Sequence, residues 1–314
     1  MAKQVLRIGT RGSDLALAQA ERVADRLRAA HPGLTLELRT VRTASDRDQK
    51  RALEEIGGRG VFVSALEDAL LADEIDVAVH SLKDVPTEVP VGLTLAAYPE
   101  RADPHDALVS PAGWSVASLP QGARVGTGSP RRRGQLLRVR PDLQVLPIRG
   151  NVDTRLGKLL AGEYAAMVLA RAGLLRLGRR KGARVVPIPF GVMLPPAGQG
   201  TLVAEARADD CRTRAFLAAI DDPDLALASS LERQATGELG AGCHGGLGVL
   251  ATVGSARVNL RAVVVTSDGR TLIRAAAHGI SQAAEDVARR VVERLRSLGA
   301  QALVTPAAPP ASAG

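Results

Sequence analysis

The residues best suited to chemistry are one cysteine, one acid and a set of cations in short loops. Cys243 stands in the glycine-rich segment 240–248, beside His244. Glycine's backbone freedom permits an exposed thiol there, and a nearby cation would make that thiol nucleophilic. Adjacency to His244 in sequence does not establish a dyad. Cys211 follows a helix-like run and reads as an ordinary small residue. Asp84 comes directly after Lys83, at the end of an apolar run. It could pair with a cationic intermediate, orient an N–H donor, or serve only as a local ion pair or cap before Val85-Pro86.

Four loops carry cations: Thr10-Arg11-Gly12-Ser13, His80-Ser81-Leu82-Lys83-Asp84, Thr127-Gly128-Ser129-Pro130-Arg131-Arg132-Arg133, and the run from Arg149 to Arg155. In the third loop Ser129 suits an N-cap and Pro130 the first helical position. Three arginines then fall in the first turn, where the helix dipole disfavours each by about 0.3–1 kcal/mol when exposed. Such arginines either point into solvent or hold an anion, together with the helix-start amides.

The elements that must position these groups alternate strand and helix. Strands are expected at Val5–Gly9, Leu34–Val41 and Ile75–Val79, with helices at 15–30 and 63–72. The pattern restarts after 98–104, with strands at 124–126, 143–148 and 164–170 and helices at 130–139, 152–161 and from about 173. Such alternation implies βαβ units and doubly wound sheets, whose ligands bind at the carboxyl ends of the strands. All four cationic loops fall there. From Asp221 the order changes to a helix at 225–236, strands at 249–253, 258–266 and 272–277, and a helix at 283–297. That order suggests a small α+β domain, followed by a disordered Pro/Ala/Ser-rich tail.

Composition limits the function classes. The 314 residues are 46% hydrophobic and 24% charged, as in ordinary globular proteins, and the length suits two or three domains. No apolar stretch is long enough to span a membrane, no signal peptide is recognisable, and two cysteines make no disulfide framework. A cytoplasmic location is expected. The net charge is +8, and only five of the 41 basic residues are lysines, leaving 36 arginines. Six aromatics are too few for a base-stacking platform, and acids interleave the arginines, so nucleic acid is not an expected partner. The histidines and cysteines lack zinc-ligand spacing, and neither a dinucleotide fingerprint nor a Walker A motif occurs. The residues alone point to an enzyme or binding protein for a multiply anionic small molecule.

Nine segments carry a resemblance to a known family: 7–17, 57–62, 80–86, 101–107, 125–132, 148–155, 169–174, 194–200 and Gly242-Cys243 before Gly248. Across about residues 4–300 the chain resembles the porphobilinogen deaminase (hydroxymethylbilane synthase) family. The resemblance implies α/β architecture: two doubly wound, periplasmic-binding-protein-like domains (1–99 with 200–218, and 104–195) and a small α+β C-terminal domain (219–304), with a tail at 305–314. It implies a dipyrromethane cofactor joined by a thioether to Cys243. The implied reaction is stepwise condensation of four porphobilinogen molecules with loss of ammonia, then hydrolytic release of linear hydroxymethylbilane. Lys83, Ser129, Arg131, Arg132 and Arg155 match cofactor-binding positions. Arg11, Arg149 and Arg176 match those handling incoming substrate or the growing chain. Ser13 and Thr127 match polar contacts, to substrate and cofactor respectively. Asp84 matches the catalytic acid, which holds pyrrole N–H groups and stabilises the azafulvenium cation formed as ammonia leaves. A monomer is implied, with no metal and no membrane partner.

Three positions depart from the family pattern. Arg59 replaces a loop lysine, Glu55 stands where some relatives have a cofactor-contacting lysine, and His244-Gly245-Gly246 replaces a bulkier, proline-containing sequence. Two other readings use the same residues: a non-catalytic two-lobed anion-binding protein, and a thiol enzyme using Cys243 with His244.

Overall fold

The computed structural model describes residues 5–41, 60–178, 182–240 and 246–304. Cys243, His244, Glu55, Arg59 and the tail from 305 lie outside the described residues. In chain order the elements are β1 (Val5–Thr10), α1 (Asp14–Ala30), β2 (Thr35–Thr40), α2 (Gly60–Leu71), β3 (Val77–Ser81), a 3-10 turn (Leu82–Asp84), β4 (Leu93–Arg101), β5 (Asp106–Ser110), β6 (Arg124–Gly126), α3 (Pro130–Val139), β7 (Gln144–Leu146), α4 (Val152–Leu160), β8 (Ala166–Ala170), α5 (Arg171–Leu177), β9 (Arg184–Pro187), β10 (Thr201–Arg207), α6 (Cys211–Ala218), α7 (Pro223–Glu238), β11 (Leu247–Gly254), β12 (Arg257–Val265), β13 (Leu272–Ile280) and α8 (Ala284–Ser297). They form two compact units, one of Met1–His105, Ala170–Lys181 and Ala197–Ser230, the other of Asp106–Leu169, Gly182–Pro196 and Leu231–Gly314.

The first unit is built on a sheet of order β2-β1-β3-β10-β4. β1 is parallel to β2 and β3, whereas β10 runs antiparallel to both its neighbours. Strand residues alternate between the two faces. Val77, Val79, Leu202, Ala204 and Ala206 pack with α1 residues Ala20, Val23, Ala24 and Leu27. On the other face Ala78 packs with Leu66, Ala69 and Leu70 of α2. Burying each of the larger side chains contributes roughly 1.5–3 kcal/mol. α1 begins where Ser13 Oγ accepts from the Ala16 amide at 3.3 Å, and ends where the His31 amide closes on Leu27 O at 2.8 Å, ahead of Pro32-Gly33.

The second unit holds a sheet of order β7-β6-β8-β5-β9 and a separate three-stranded sheet, β11-β12-β13, antiparallel throughout. The first sheet repeats the strand order of the first unit, with β6 parallel to β7 and β8, and β5 antiparallel to β9. The molecule thus has two α/β sheets of like strand order and a small C-terminal sheet. That small sheet carries α8, whose Val287, Ala288, Val291, Val292 and Leu295 are buried at helical spacing. Its β12–β13 turn lies against α3. A Cβ on Gly134 would fall 2.3 Å from Thr266 O, and one on Gly269 2.6 Å from the Arg138 nitrogen.

Strands β4, β5, β9 and β10 have no counterpart among the sequence-derived elements. β4 contains Pro99, which reads as a strand breaker. The structure accommodates it because β4 is an edge strand whose register against β10 shifts between Ala97 and Glu100. Cys211 does not follow a helix. It opens α6, whose N-cap is Asp210.

The amino-terminal edge of the first sheet is tied by ions. Asp76 accepts from Arg7 at 2.6 Å and from Arg207 at 3.2 Å, with Asp210 also on Arg207 at 3.1 Å. Burial pushes the Asp76 carboxyl up, but the side-chain and backbone hydrogen bonds of Arg7, with its charge and Arg207, outweigh it and hold the group below its ordinary value. Its contribution is therefore present above the unfolded-state pKa and lost as pH falls through the folded value. Asp76→Ala is expected to cost about 3 kcal/mol at neutral pH and much less in acid. Urea denaturation of both proteins across pH 7 to 3 (roughly the carboxylate range) checks this, and a pH-independent difference contradicts it.

Candidate active site

In the second unit the cationic edge starts at the end of β6. The Thr127 amide donates to Leu146 O at 2.9 Å, and Thr127 Oγ1 accepts from the Ser129 amide at 3.2 Å. Ser129 Oγ then accepts from the Arg132 amide at 3.4 Å, so Ser129 caps α3 with Pro130 in its first turn, as the sequence predicts. The arginines of that turn are not simply solvated. Arg132 donates through Nε and Nη2 to Asp106 Oδ1, at 3.0 and 2.7 Å, and through Nη1 to Val168 O at 3.2 Å. Arg131 reaches Asp106 Oδ2 at 2.8 Å and Leu194 O at 2.6 Å. Arg133 turns away, donating to Val145 O.

Asp106 is fully buried, and the Arg131 and Arg132 side chains are only 5% and 11% exposed. One carboxylate thus faces two buried guanidinium groups. A third cation stands beside them. Asn151 Oδ1 accepts from the Thr154 amide at 2.8 Å, which caps α4 and sets Arg155 in its first turn. Arg155 makes no ion pair among the described residues, and its Nε is buried without a hydrogen-bond partner there. Burial and then the charge of Arg132 pull its guanidinium below its ordinary value. Uncompensated charge of this kind is costly unless an anion meets it. Arg149 is exposed at the end of β7, before Gly150, whose φ of 111° suits only glycine.

The first unit has its own polar edge. Arg11 is half-buried after β1. Ser13 Oγ is engaged as the α1 cap. Lys83 and Asp84, both half-buried, lie in the 3-10 turn after β3. Gly198, at φ 69°, lets the backbone approach that turn: a Cβ there would fall 2.7 Å from Leu82 Cγ. Arg176 Nη2 donates to Gly200 O at 2.6 Å and to Glu100 Oε1 at 3.3 Å. Glu100 also receives Arg22 at 2.8 Å and Arg26 at 3.5 Å. Burial pulls Arg176 below its ordinary value despite Glu100, and its Nε is buried without a partner among the described residues.

Thr127, Ser129, Arg131, Arg132, Arg149 and Arg155 therefore share the strand-end edge of the second unit, while Arg11, Ser13, Lys83, Asp84 and Arg176 belong to the first. Cys243 falls between two described anchors, α7 and β11. The second anchor is tightly packed. A Cβ on Gly246 would fall 1.8 Å from Val265 O and one on Gly248 2.8 Å from Leu194 O. Neither glycine has positive φ. They are small because backbone passes close by, a different reason from the conformational freedom expected of the segment. Asp106 and Glu100 escaped the sequence reading. The usable signal was Asp106 opening the apolar run Ala107-Leu108-Val109, since a buried acid requires cations.

The charge imbalance predicts opposite effects from neighbouring residues. In a Cys243→Ala background, free of any covalent ligand, Arg155→Met is expected to gain about 1 kcal/mol, because it removes a half-buried charge with no carboxylate partner among the described residues. Asp106→Asn is expected to lose about 3–5 kcal/mol, because it strands two. Chemical denaturation reads both, and a loss in Arg155→Met contradicts the account.

Comparison with known proteins agrees with this site chemistry. Residues 6–215 match the family model described as porphobilinogen deaminase, dipyromethane cofactor binding domain, and residues 226–297 match the porphobilinogen deaminase C-terminal domain. The porphobilinogen deaminase of Rubrobacter xylanophilus is 50% identical over 95% of both chains. That of Acidothermus cellulolyticus is 48% identical over 96% of this chain and 92% of its own. That of Roseiflexus sp. is 45% identical over 96% and 99%. Among solved structures, the BenM effector binding domain with its effector benzoate is 16% identical over 70% of this chain and 91% of its own, at a TM-score of 0.42, too low to support any argument. With both family models matched in order and relatives of this identity along nearly the whole length, the chain belongs to the porphobilinogen deaminase family.

Proposed function

We propose that this chain catalyses the stepwise deaminative condensation of four porphobilinogen molecules on a covalently held dipyrromethane and releases linear hydroxymethylbilane by hydrolysis, a transferase step of tetrapyrrole and haem biosynthesis. The observation that carries the reading is the pair Arg131 and Arg132 on the single carboxylate of Asp106, with Arg155 as a third cation beside Arg132. Every pyrrole of this chemistry bears acetate and propionate arms, and a buried carboxylate needs just such guanidinium partners. The donor set therefore fits the dipyrromethane. When bound, that group supplies the pyrrole carbon to which the first substrate is joined.

The chain's own residues then divide the work. Cys243 holds the cofactor by a thioether. Arg131, Arg132 and Arg155 neutralise its carboxylates, with Lys83, Ser129 and Thr127 adding polar contacts. Arg11, Arg149, Arg176 and Ser13 handle the carboxylates of incoming substrate and growing chain. Asp84 accepts hydrogen bonds from pyrrole N–H groups and stabilises the cation that develops on porphobilinogen as ammonia leaves, an electrostatic contribution of the preorganised kind. In this reading residues 219–304 form the cofactor-bearing third domain, and the enzyme works as a cytoplasmic monomer. No helix among the described residues is long and apolar enough to cross a membrane. A non-catalytic anion receptor accounts less well for the match to the cofactor-binding family model.

Intact-mass measurement of the purified protein should show an excess equal to one dipyrrole, absent in Cys243→Ala. Active protein of unmodified mass contradicts the reading. Asp84→Asn should retain the cofactor, or a blocked partial chain, and lose turnover. Near-normal ammonia release by that variant removes Asp84 from the mechanism.

A further inference from the structure

Beneath the Lys83–Asp84 turn lies a polar cluster that the site described above does not use. His80 is the penultimate residue of β3, and its Nε2 lies 2.9 Å from Glu205 Oε2 on β10. His80 faces Val203 in the ladder and Glu205 faces Ala78. His80 and Glu205 are therefore diagonal neighbours on one face of the sheet, and the small Ala78 leaves room between strands. This is the face covered by α2, which contributes Glu67. All three residues are buried, at 5%, 0% and 7% exposure for His80, Glu205 and Glu67. Glu205 Oε1 and Glu67 Oε1 have no hydrogen-bond partner among the described residues. On the opposite face the next residue, Ser81, accepts from Gln19 Nε2 of α1 at 2.6 Å. The last two residues of β3 are thus gripped from both sides, one residue before the turn that carries Lys83 and Asp84.

An apolar face has no packing need for one imidazole and two carboxylates, and such groups are retained at a cost in stability. We propose that His80, Glu205 and Glu67 are positioning residues for the reaction, fixing the end of β3 so that the Asp84 carboxylate is held in its working geometry. The inference rests on Asp84 being the acid of the reaction. The cluster also gives the grip a pH dependence. Burial, and next the charge of Glu205, push the Glu67 carboxyl up, His80 opposes them, and Asp68, exposed on the same helix, adds a smaller upward push. As pH rises Glu67 ionises beside Glu205, and two buried carboxylates then repel each other.

The test uses holoenzyme, with cofactor content read from intact mass and kcat expressed per cofactor-loaded molecule. His80→Leu should lose about ten- to a hundredfold in kcat, as expected for a misplaced catalytic group, with little change in KM. His80→Gln, which restores an N–H donor near the Nε2 position, should recover most of it. Glu67→Gln, uncharged at every pH, should change the shape of the kcat–pH profile by removing the ionisation that Glu67 contributes. If His80→Leu does not fold, Glu205→Gln carries the same kcat-against-KM comparison. Wild-type kcat in the folded His80 or Glu205 variant, a loss confined to KM, or superimposable pH profiles for Glu67→Gln and wild type each overturn the proposal. An active Asp84→Asn variant instead overturns the reading of Asp84, a separate and distinguishable failure.

Discussion

The second unit is organised around a charge imbalance. Asp106 holds Arg131 at 2.8 Å and Arg132 at 2.7 Å, and Arg155 stands beside them with no carboxylate of its own among the described residues. Burying guanidinium groups in excess of acids is a cost that folding alone would not retain. It becomes reasonable when the missing anions arrive with a ligand, since charge-assisted hydrogen bonds to carboxylates are the strong ones. The cost is then a device for selecting a polycarboxylate, and a site assembled in this way trades stability for function.

The scaffold explains how such a site can be held. Both α/β lobes use the same strand order, and in each the fourth strand is supplied by chain that has just crossed from the other unit: β5 into the second, β10 into the first. Each crossing strand brings a fully buried acid, Asp106 on β5 and Glu205 on β10. Those acids fix cations or an imidazole at the strand ends, where the loops with chemistry begin. α3, which carries Arg131 and Arg132, is held further along its length. Gln135 exchanges two hydrogen bonds with the Leu194 backbone, at 3.0 and 2.8 Å, and Gly134 admits the β12–β13 turn. The same Leu194–Pro195 backbone receives β11, the strand that follows the Cys243 segment.

Local signals were legible in the sequence and distant ones were not. Ser129-Pro130 announced the start of α3, and the buried run of β3 was visible from its apolar residues. The strands that close each sheet were hidden for physical reasons. β10 contains Glu205 and two alanines, residues of low strand preference, and β4 contains Pro99 in a register shift at an edge. The positions of the cations could be read, but not their partners. Nothing local ties Asp106 to Arg132, 26 residues away, or Glu100 to Arg176, 76 residues away. The +8 net charge says little on its own. What matters is which arginines outnumber the acids at the strand ends.

The most direct test of that imbalance is the affinity of Cys243→Ala protein for a free dipyrromethane bearing acetate and propionate arms, against its methyl esters, by calorimetry. If the buried guanidinium excess is there to meet carboxylates, the acid form binds at least about a hundredfold more tightly than the esters, which is about 2.7 kcal/mol. The preference should shrink in Arg155→Met. Equal affinity for acid and ester, or a preference that survives Arg155→Met unchanged, contradicts the account.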